Sequence, residues 1–302
     1  MSAMRRGDFT AAWKVSDRVL RRRLRDGASQ ADRPRHLQSV WDGSPLAGKR
    51  VLVRCYHGLG DTLQFVRLVP LLRKQARHVT LWTQPQLVDL LRALPGIDRL
   101  EPLHDGEPDV ERDADIELME LPHFLRLRPE NIPGAPYLRV DAHAPLLATS
   151  GPRIGIAWCA GDWDAARSIP DAQLAPLARV PNVRWHSLQF GARSQPLPGS
   201  DLACRDIREQ ARRMQALDLV ISVDTMVAHL AGALGLPVWL LLPTPCDWRW
   251  MSEREDSPWY PHMRIFRQRV PGAWTDVLER VRVALVRWTQ RDALPRARRR
   301  CA

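Results

Sequence analysis

The chain has 302 residues, 45% of them hydrophobic and 26% charged, a composition that can bury a substantial core. These values exclude a mainly disordered chain, a collagen-like repeat and a disulfide scaffold. The formal net charge is +11, which would suit nucleic acid, an anionic membrane surface or a phosphorylated substrate as a partner.

The positive charge is concentrated at the two ends of the chain. Residues 1–50 hold 12 basic and 5 acidic side chains, and residues 284–302 hold 6 and 1, which leaves 27 basic and 28 acidic side chains in residues 51–283. A neutral centre without a recognisable nucleic-acid-binding module predicts no nucleic-acid partner. The basic ends, with arginine runs at 21–23 and 298–300, fit two hypotheses: they hold the chain near an anionic membrane, or they only keep it soluble.

Cysteine usage and hydropathy bear on the compartment. The five cysteines are odd in number, far apart and without zinc-like spacing, which is typical of a reduced, cytosolic chain. The start lacks the apolar stretch of a signal peptide, and the most apolar segment, 217–242, is interrupted by polar residues and a proline. We therefore expect a cytoplasmic protein, with contact at the inner face of the cytoplasmic membrane as the hypothesis tied to the basic ends.

In chain order, the first predicted element is an amphipathic helix over 8–24, where Phe9, Trp13 and Leu20 recur at helical spacing opposite a basic face. From residue 49 strands alternate with helices. The predicted elements of this part are a strand at 50–56, a loop at 57–61, a helix at 62–76, a strand at 79–83, a helix at 85–94 and a strand at 116–119.

After a proline- and alanine-rich stretch at 132–152 the alternation starts again. The predicted elements are strands at 153–158, 183–189, 219–223 and 238–242, and helices at 171–178, 208–216, 225–234 and 274–289. Such alternation predicts right-handed crossovers and parallel sheets, hence an α/β fold. Two successive units predict two lobes facing a cleft, divided as a basic helical extension 1–48, an N-terminal lobe 49–145 and a C-terminal lobe 146–302.

The first candidate segment for chemistry is the loop that contains His57, Gly58, Gly60 and Asp61, between a predicted strand and helix. Two glycines permit a tight turn and a close approach of the backbone. Asp61 would repel phosphate at this helix start, so it is interpreted as a base or as a capping residue, and spacing favours capping. The loop is neither a dinucleotide fingerprint nor a P-loop, so nicotinamide and P-loop functions lose support.

The second candidate is Asp224, which follows a predicted buried strand, with Thr225 and His229 after it. Ligands of open α/β sheets bind at the carboxyl ends of strands, and the start of a helix capped by Thr225 could hold a diphosphate. His229, one turn later, would lie on the same side as Thr225. The alternative is a capped core helix with a satisfied buried histidine.

Two further segments follow strands. Trp248 and Arg249 lie in an aromatic, proline-rich stretch that could stack on a base or sugar and pair with phosphate, although ordinary packing would use the same residues. Arg167 lies in a polar loop and could neutralise phosphate. A solvated arginine is its alternative.

Together these segments resemble a known family. The stretches GLGDTLQFVRLVPLL at 58–72, SVDTMVAHLAGALGLPVWLLLP at 222–243, and DWRW at 247–250 with EDSPWYP at 255–261 resemble the family 9 glycosyltransferases. These are the ADP-heptose:lipopolysaccharide heptosyltransferases and their relatives, including forms fused to tetratricopeptide repeats. The resemblance covers about residues 49–290.

The resemblance implies a GT-B architecture of two Rossmann-like lobes, the first binding mainly the acceptor and the second mainly the sugar nucleotide. It also implies inverting transfer that needs no metal and no cofactor. Asp61 matches the aspartate that acts as the family's general base. Asp224, Thr225 and His229 match the segment that binds the donor diphosphate and sugar, and Arg167 matches the position that neutralises the donor phosphates.

The remaining expectations concern substrates. Trp248 and Arg249 are expected on the donor, and His57, Gly58 and Gly60 in the loop that faces the acceptor. The resemblance implies a nucleotide-sugar donor such as ADP-heptose, and a glycan, a lipopolysaccharide or a protein as the acceptor. The alternative is a degenerate family member that binds a nucleotide sugar or a partner without catalysis.

Overall fold

The structure is a computed structural model that describes residues 2–27, 33–141, 151–161, 164–191 and 194–292, with side chains up to residue 290. The arginine run at 298–300 lies outside the described residues. The described chain forms two compact units. The first consists of residues within Met1–Arg139 together with Asp247–Arg254 and Pro258–Pro261, and the second takes the rest.

Four parallel strands form the sheet of the first unit, in the spatial order β3-β2-β1-β4. They are β1 (Arg50–Arg54), β2 (His78–Thr83), β3 (Arg99–Pro102) and β4 (Ala114–Glu117). Val51 of β1 lies opposite Val79 of β2 and Ala114 of β4. Because the strand order reverses at β1, the carboxyl ends of β1 and β4 flank a topological switch point, where ligands of such sheets bind.

The helices of the first unit are short except for the second one. They are α1 (Ser2–Arg5), α2 (Phe9–Asp26), α3 (Leu59–Phe65), α4 (Val69–Arg73), α5 (Val88–Leu91) and α6 (Leu121–Phe124). The single helix predicted over 62–76 is wrong in two respects. It begins earlier, at Leu59, and a 3₁₀ turn at Val66–Leu68 divides it, because Pro70 has no N–H to donate.

The predicted amphipathic helix over 8–24 is confirmed as α2, which Asp8 caps by accepting a hydrogen bond from the N–H of Ala11 at 2.9 Å. Its buried side chains are Phe9, Ala12 and Trp13. The indole of Trp13 donates to the carbonyl of Leu127 at 2.6 Å. The buried side chains of this helix therefore lie in its N-terminal half.

Six parallel strands form the sheet of the second unit, in the order β10-β9-β8-β5-β6-β7. They are β5 (Arg153–Ala157), β6 (Arg184–Ser187), β7 (Gly199–Asp201), β8 (Leu219–Val223), β9 (Val238–Leu242) and β10 (Met263–Arg267). A Cβ on Gly155 of β5 would come within 2.6 Å of the side chains of Leu188 and Leu217, so a larger residue there would force these two side chains to shift. Here the switch point lies between β5 and β8.

The helices of the second unit are α7 (Ala175–Ala178), α8 (Ile207–Met214), α9 (Met226–Ala233) and α10 (Trp274–Asp292). The helix predicted over 171–178 is a 3₁₀ turn at Asp171–Leu174 followed by α7. The closing helix α10 buries the apolar stripe that its spacing predicts: Trp274, Val277, Leu278, Val281 and Leu285. The α/β fold with parallel sheets is confirmed, whereas β3, β7 and β10 were not predicted.

Candidate functional site

Asp61 lies in the first turn of α3, which follows the carboxyl end of β1 after a short loop at 55–58. Gly58, not Asp61, is the N-cap residue, and its N–H donates to Oδ2 of Asp61 at 3.1 Å. The other oxygen, Oδ1, accepts a hydrogen bond from Nη1 of Arg249 at 2.7 Å. The Asp61 side chain is 26% exposed. The carboxylate therefore caps its helix from the third helical position and remains open to solvent.

Arg249 belongs to a 3₁₀ turn, Trp248–Trp250, in a segment that groups with the first unit although sequence order suggests the second lobe. Its guanidinium donates hydrogen bonds to the side chains of Asp61 at 2.7 Å, Gln64 at 2.9 Å and Asp247 at 2.8 Å. The residue is 7% exposed. The contact with Asp61 joins residues 188 positions apart, which no sequence pattern indicates.

Trp248 is buried among aromatic rings of the first unit. Its ring centroid lies 6.0 Å from that of Phe9, 6.1 Å from that of Phe65 and 6.3 Å from that of Trp259. These contacts correspond to the packing alternative that the sequence left open for this segment. They join α2 and α3 to the segments 247–254 and 258–261 of the same unit.

Glu117, the last residue of β4, is a site residue that sequence reasoning missed. It is 1% exposed and accepts hydrogen bonds from the N–H groups of Tyr56 at 3.3 Å and Met119 at 2.5 Å. Burial raises the pKa of Glu117 to about 8 although these N–H groups lower it. We therefore expect this carboxyl to be protonated in the folded protein at neutral pH.

His57 and Gln84 complete the polar surroundings of the loop. Nε2 of His57 lies 3.7 Å from Oε2 of Glu117, and burial lowers the pKa of His57. Gln84, the first residue after β2, donates to the carbonyl of His57 at 2.6 Å and accepts from the hydroxyl of Thr62 at 3.0 Å. Glu117 is the last residue of β4 and Gln84 is the first residue after β2, and both strands lie next to β1. Their position at the carboxyl ends of neighbouring strands is the sequence signal by which they could have been predicted.

The glycines of the loop allow close approach rather than an unusual backbone. Gly58 has φ −68° and ψ 163°, which any residue can adopt. Gly60 lies inside α3, one residue before Asp61. The tight turn expected from two glycines is therefore absent at these two residues, because the chain enters the helix directly from an extended N-cap.

In the second unit Arg167 and Asp224 lie on the two sides of the switch point between β5 and β8. Arg167 ends a 3₁₀ turn in the loop after β5, and its Nη1 donates to the backbone carbonyl of Asp224 at 2.9 Å. Asp224 directly follows β8 and is buried. One cation is thereby held at the carboxyl edge of this sheet.

Thr225 is the N-cap of α9, as its position predicted. Its hydroxyl accepts from the N–H of Val227 at 3.3 Å and lies 3.2 Å from that of Ser222. His229, one turn further, is buried, and its Nε2 lies 3.6 Å from Oδ1 of Asp224. The start of α9, with its N–H groups and positive dipole end, thus stands beside Arg167, an arrangement suited to an anion.

Two further properties concern metals and membranes. Within the part of the chain that the structure describes, no three His, Cys, Asp or Glu side chains are grouped so that they could hold a metal ion. None of the described helices combines the length and the apolar character needed to cross a bilayer.

No protein-family model matches the chain. A curated relative, protein FlbA of Caulobacter vibrioides, is 26% identical over 293 residues, an alignment that covers 81% of this chain and 48% of FlbA. The chain therefore spans about half the length of this relative.

Solved structures share the fold at low sequence identity. TibC of enterotoxigenic Escherichia coli, an iron-containing dodecameric glycosyltransferase, is 15% identical with a TM-score of 0.56, over 82% of this chain and 77% of TibC. The ADP-heptose lipopolysaccharide heptosyltransferase II of E. coli is 14% identical with a TM-score of 0.54, over 81% and 99%. A family 9 glycosyltransferase of Veillonella parvula is 15% identical with a TM-score of 0.51, over 74% and 87%.

At these identities the likeness shows the fold. The resemblance to family 9 glycosyltransferases is confirmed at that level, and so is the GT-B fold class of two Rossmann-like units. The chain has a heptosyltransferase-like glycosyltransferase fold.

Proposed function

We propose that this chain is a glycosyltransferase that moves a sugar from a nucleoside-diphosphate donor to a hydroxyl group of an acceptor. One observation carries the proposal: each sheet presents polar groups at its topological switch point, a carboxylate in the first unit and a cation beside a helix N-terminus in the second. A base and an anion site are the two components that such a transfer needs.

The second unit would bind the donor. Arg167 and the N–H groups at the start of α9, which Thr225 caps, supply positive potential for the diphosphate without a metal ion. Asp224 and His229 would contact the sugar or the phosphates. ADP-heptose is the donor that we propose to test first, because a protein of the same fold is named for it.

The first unit would bind the acceptor and hold the base. Asp61 takes the proton of the acceptor hydroxyl while the oxygen of that hydroxyl attacks the anomeric carbon from the side opposite the phosphate. The new carbon–oxygen bond forms as the bond to the phosphate breaks, and the nucleoside diphosphate leaves with the electron pair. One displacement inverts the anomeric centre. His57, Gly58 and Gly60 form the loop that would face the acceptor, which we propose to be a glycan, a lipopolysaccharide or a protein.

A screen of nucleotide sugars tests this function. Thermal shift measurements with ADP-, GDP- and UDP-sugars should show one donor class that raises the melting temperature, and product analysis should then detect transfer. Asp61→Asn should keep donor binding and reduce turnover by about 100- to 10,000-fold, the usual contribution of a positioned base. Glu130→Gln, an exposed change in the same unit, is the control.

The outcomes separate the two candidate functions. Donor binding without transfer or hydrolysis by the wild type would favour the degenerate, non-catalytic alternative. A folded Asp61→Asn variant with undiminished turnover would contradict the assignment of Asp61 as the base.

A further inference from the structure

Arg249 is the site residue whose surroundings differ most from the sequence expectation. Pairing with donor phosphate was expected of it, which needs a guanidinium with open hydrogen-bonding positions. In the structure, Nη1 donates to Oδ1 of Asp61 at 2.7 Å and to Oε1 of Gln64 at 2.9 Å, while Nε donates to Oδ1 of Asp247 at 2.8 Å. Two carboxylates therefore share one buried cation.

The backbone of Arg249 is fixed as firmly as its side chain. Its N–H donates to Oδ1 of Asp247 at 3.0 Å, and its carbonyl accepts from the indole of Trp259 at 3.0 Å. The guanidinium carbon lies 5.4 Å from the ring centroid of Phe65 and 5.9 Å from that of Trp248. A guanidinium held in this way loses many contacts if it turns toward another ligand.

We propose that Arg249 is a positioning residue that holds the Asp61 carboxylate in one orientation and keeps it ionised. This role of Arg249 rests on the proposed function, in which Asp61 is the base. The guanidinium fixes Oδ1, and the N–H of Gly58 fixes Oδ2 at 3.1 Å. A carboxylate held at both oxygens keeps one face toward solvent, where an acceptor hydroxyl can meet a pre-oriented base.

The charged and titratable groups near Asp61 include Arg249, His57, Glu117 and Asp247. Burial lowers the pKa of His57. The charges of His36 and Arg249 lower this pKa further, and the charge of Asp61 opposes them. We expect Glu117 to hold a proton at pH 7 because burial raises its pKa to about 8. Asp247, which accepts a hydrogen bond from Nε of Arg249 at 2.8 Å, competes with Asp61 for the positive charge of the guanidinium.

Removing the cation should change the pH dependence of turnover. In Arg249→Gln, Asp61 loses the neighbouring positive charge, so the acid limb of the kcat/KM profile should move to higher pH by about 1 to 3 units. Turnover should fall by about 10- to 100-fold because the carboxylate is no longer held in place. Arg249→Lys restores the positive charge but lacks the several N–H donors of the guanidinium. The acid limb should therefore return to its wild-type position, while part of the loss in kcat remains.

Asp247→Asn provides a second variant with the opposite sign. Asparagine keeps the oxygen that accepts from Arg249 but removes the competing negative charge, so the acid limb should move to lower pH. The matched control is Arg67→Gln, because Arg67 is also buried in this unit but contacts carbonyl oxygens, the hydroxyl of Tyr137 and aromatic rings, with no carboxylate among these contacts. Its loss should lower the melting temperature and leave the limb in place.

Titration with ADP distinguishes positioning from phosphate binding. Arg249→Gln should bind ADP as the wild type does, whereas Arg167→Gln should bind it at least about tenfold more weakly. Equal losses of ADP affinity in the two variants would overturn the proposal. An acid limb that stays in place in both Arg249→Gln and Asp247→Asn would also overturn it, since a merely structural arginine would lower stability alone.

The proposed function can fail separately. If the wild type neither binds ADP nor transfers a sugar, that function fails. A double-mutant cycle of Asp61→Asn and Arg249→Gln then tests the contact between Asp61 and Arg249 without substrate. Urea unfolding measures the stability of each variant in the cycle. Coupling of at least about fivefold in the unfolding equilibrium constant supports the role of Arg249, and additive effects overturn it.

Discussion

Replacing Glu117 with glutamine removes a titrating carboxyl from the buried end of β4 and should change how stability depends on pH. The wild-type carboxyl is 1% exposed, and burial raises its pKa from 4.5 to about 8. At a pH between these two pKa values, the carboxyl holds a proton in the folded state that it has released in the unfolded state. The free energy of unfolding therefore falls as the pH rises through this window and levels off above pH 8.

The magnitude follows from the same two values. Raising a pKa from 4.5 to about 8 corresponds, at about 1.4 kcal/mol for each pH unit, to about 5 kcal/mol of stability lost by pH 8. Glutamine does not titrate, so the variant lacks this loss. Its amide NH₂ must face one of the two N–H donors that Glu117 accepts, from Tyr56 or Met119, which costs about 1 to 3 kcal/mol at every pH.

Urea unfolding followed by tryptophan fluorescence measures both effects. From pH 5 to pH 8 the free energy of unfolding of Glu117→Gln, relative to the wild type, should rise by several kcal/mol, so that the variant is less stable at the acid end and more stable at the alkaline end. Glu130→Gln makes the same change at an exposed site and should follow the wild type. Parallel curves for Glu117→Gln and the wild type would refute the assignment of a buried, protonated carboxyl.

Two further predictions concern α9 and α2. Thr225→Ala removes the oxygen that accepts from Val227 and should lower the free energy of unfolding by about 1 kcal/mol in urea. Thr225→Ser should retain most of it, and equal losses in both variants would exclude capping as the cause. Replacing Arg18, Arg21 and Arg22 with glutamine should weaken sedimentation with anionic vesicles by up to about 100-fold, since each basic residue contributes about 1 kcal/mol at best. Neutral vesicles are the control, and unchanged binding to anionic vesicles would contradict a membrane role for the α2 surface.

The central strands could be predicted from sequence because they are buried on both faces. β9 is a continuous apolar run, and β1 and β8 each contain three apolar residues in succession, as expected for parallel strands covered by helices. The three strands that were not predicted, β3, β7 and β10, all lie at the edge of a sheet. β7 consists of Gly199–Asp201 and is fully exposed. β3 and β7 carry no apolar run, so the sequence has no periodic signal for them. β10 does carry a signal, because Met263, Ile265 and Phe266 are buried and Arg264 is exposed, and sequence reasoning missed it.

The site was predictable only where chemistry depends on local sequence. Thr225 directly precedes a helix of small residues, so its capping role follows from its position. Asp61 required the structure, because the residue that caps α3 proved to be Gly58 and the aspartate reaches back from the first turn. The partner of Asp61 could not be predicted, since Arg249 comes from the other end of the chain and meets it only after the sheet has formed.

The positively charged side chains of α2 point in a fixed direction relative to the first unit. Of the arginine run at 21–23, Arg23 turns inward, donates to the carbonyl of Trp41 and lies 3.5 Å from Glu120, whereas Arg21 and Arg22 are exposed. A flexible tail would spread its charges over all directions. Because α2 is docked through Phe9, Ala12 and Trp13 on its other face, the exposed basic residues all face away from the first unit. The exposed basic side chains of α2 are Lys14, Arg18, Arg21, Arg22 and Arg25. An anionic surface that binds them would therefore hold the first unit in one orientation, and this geometric consequence separates the membrane hypothesis from that of a merely solubilising end.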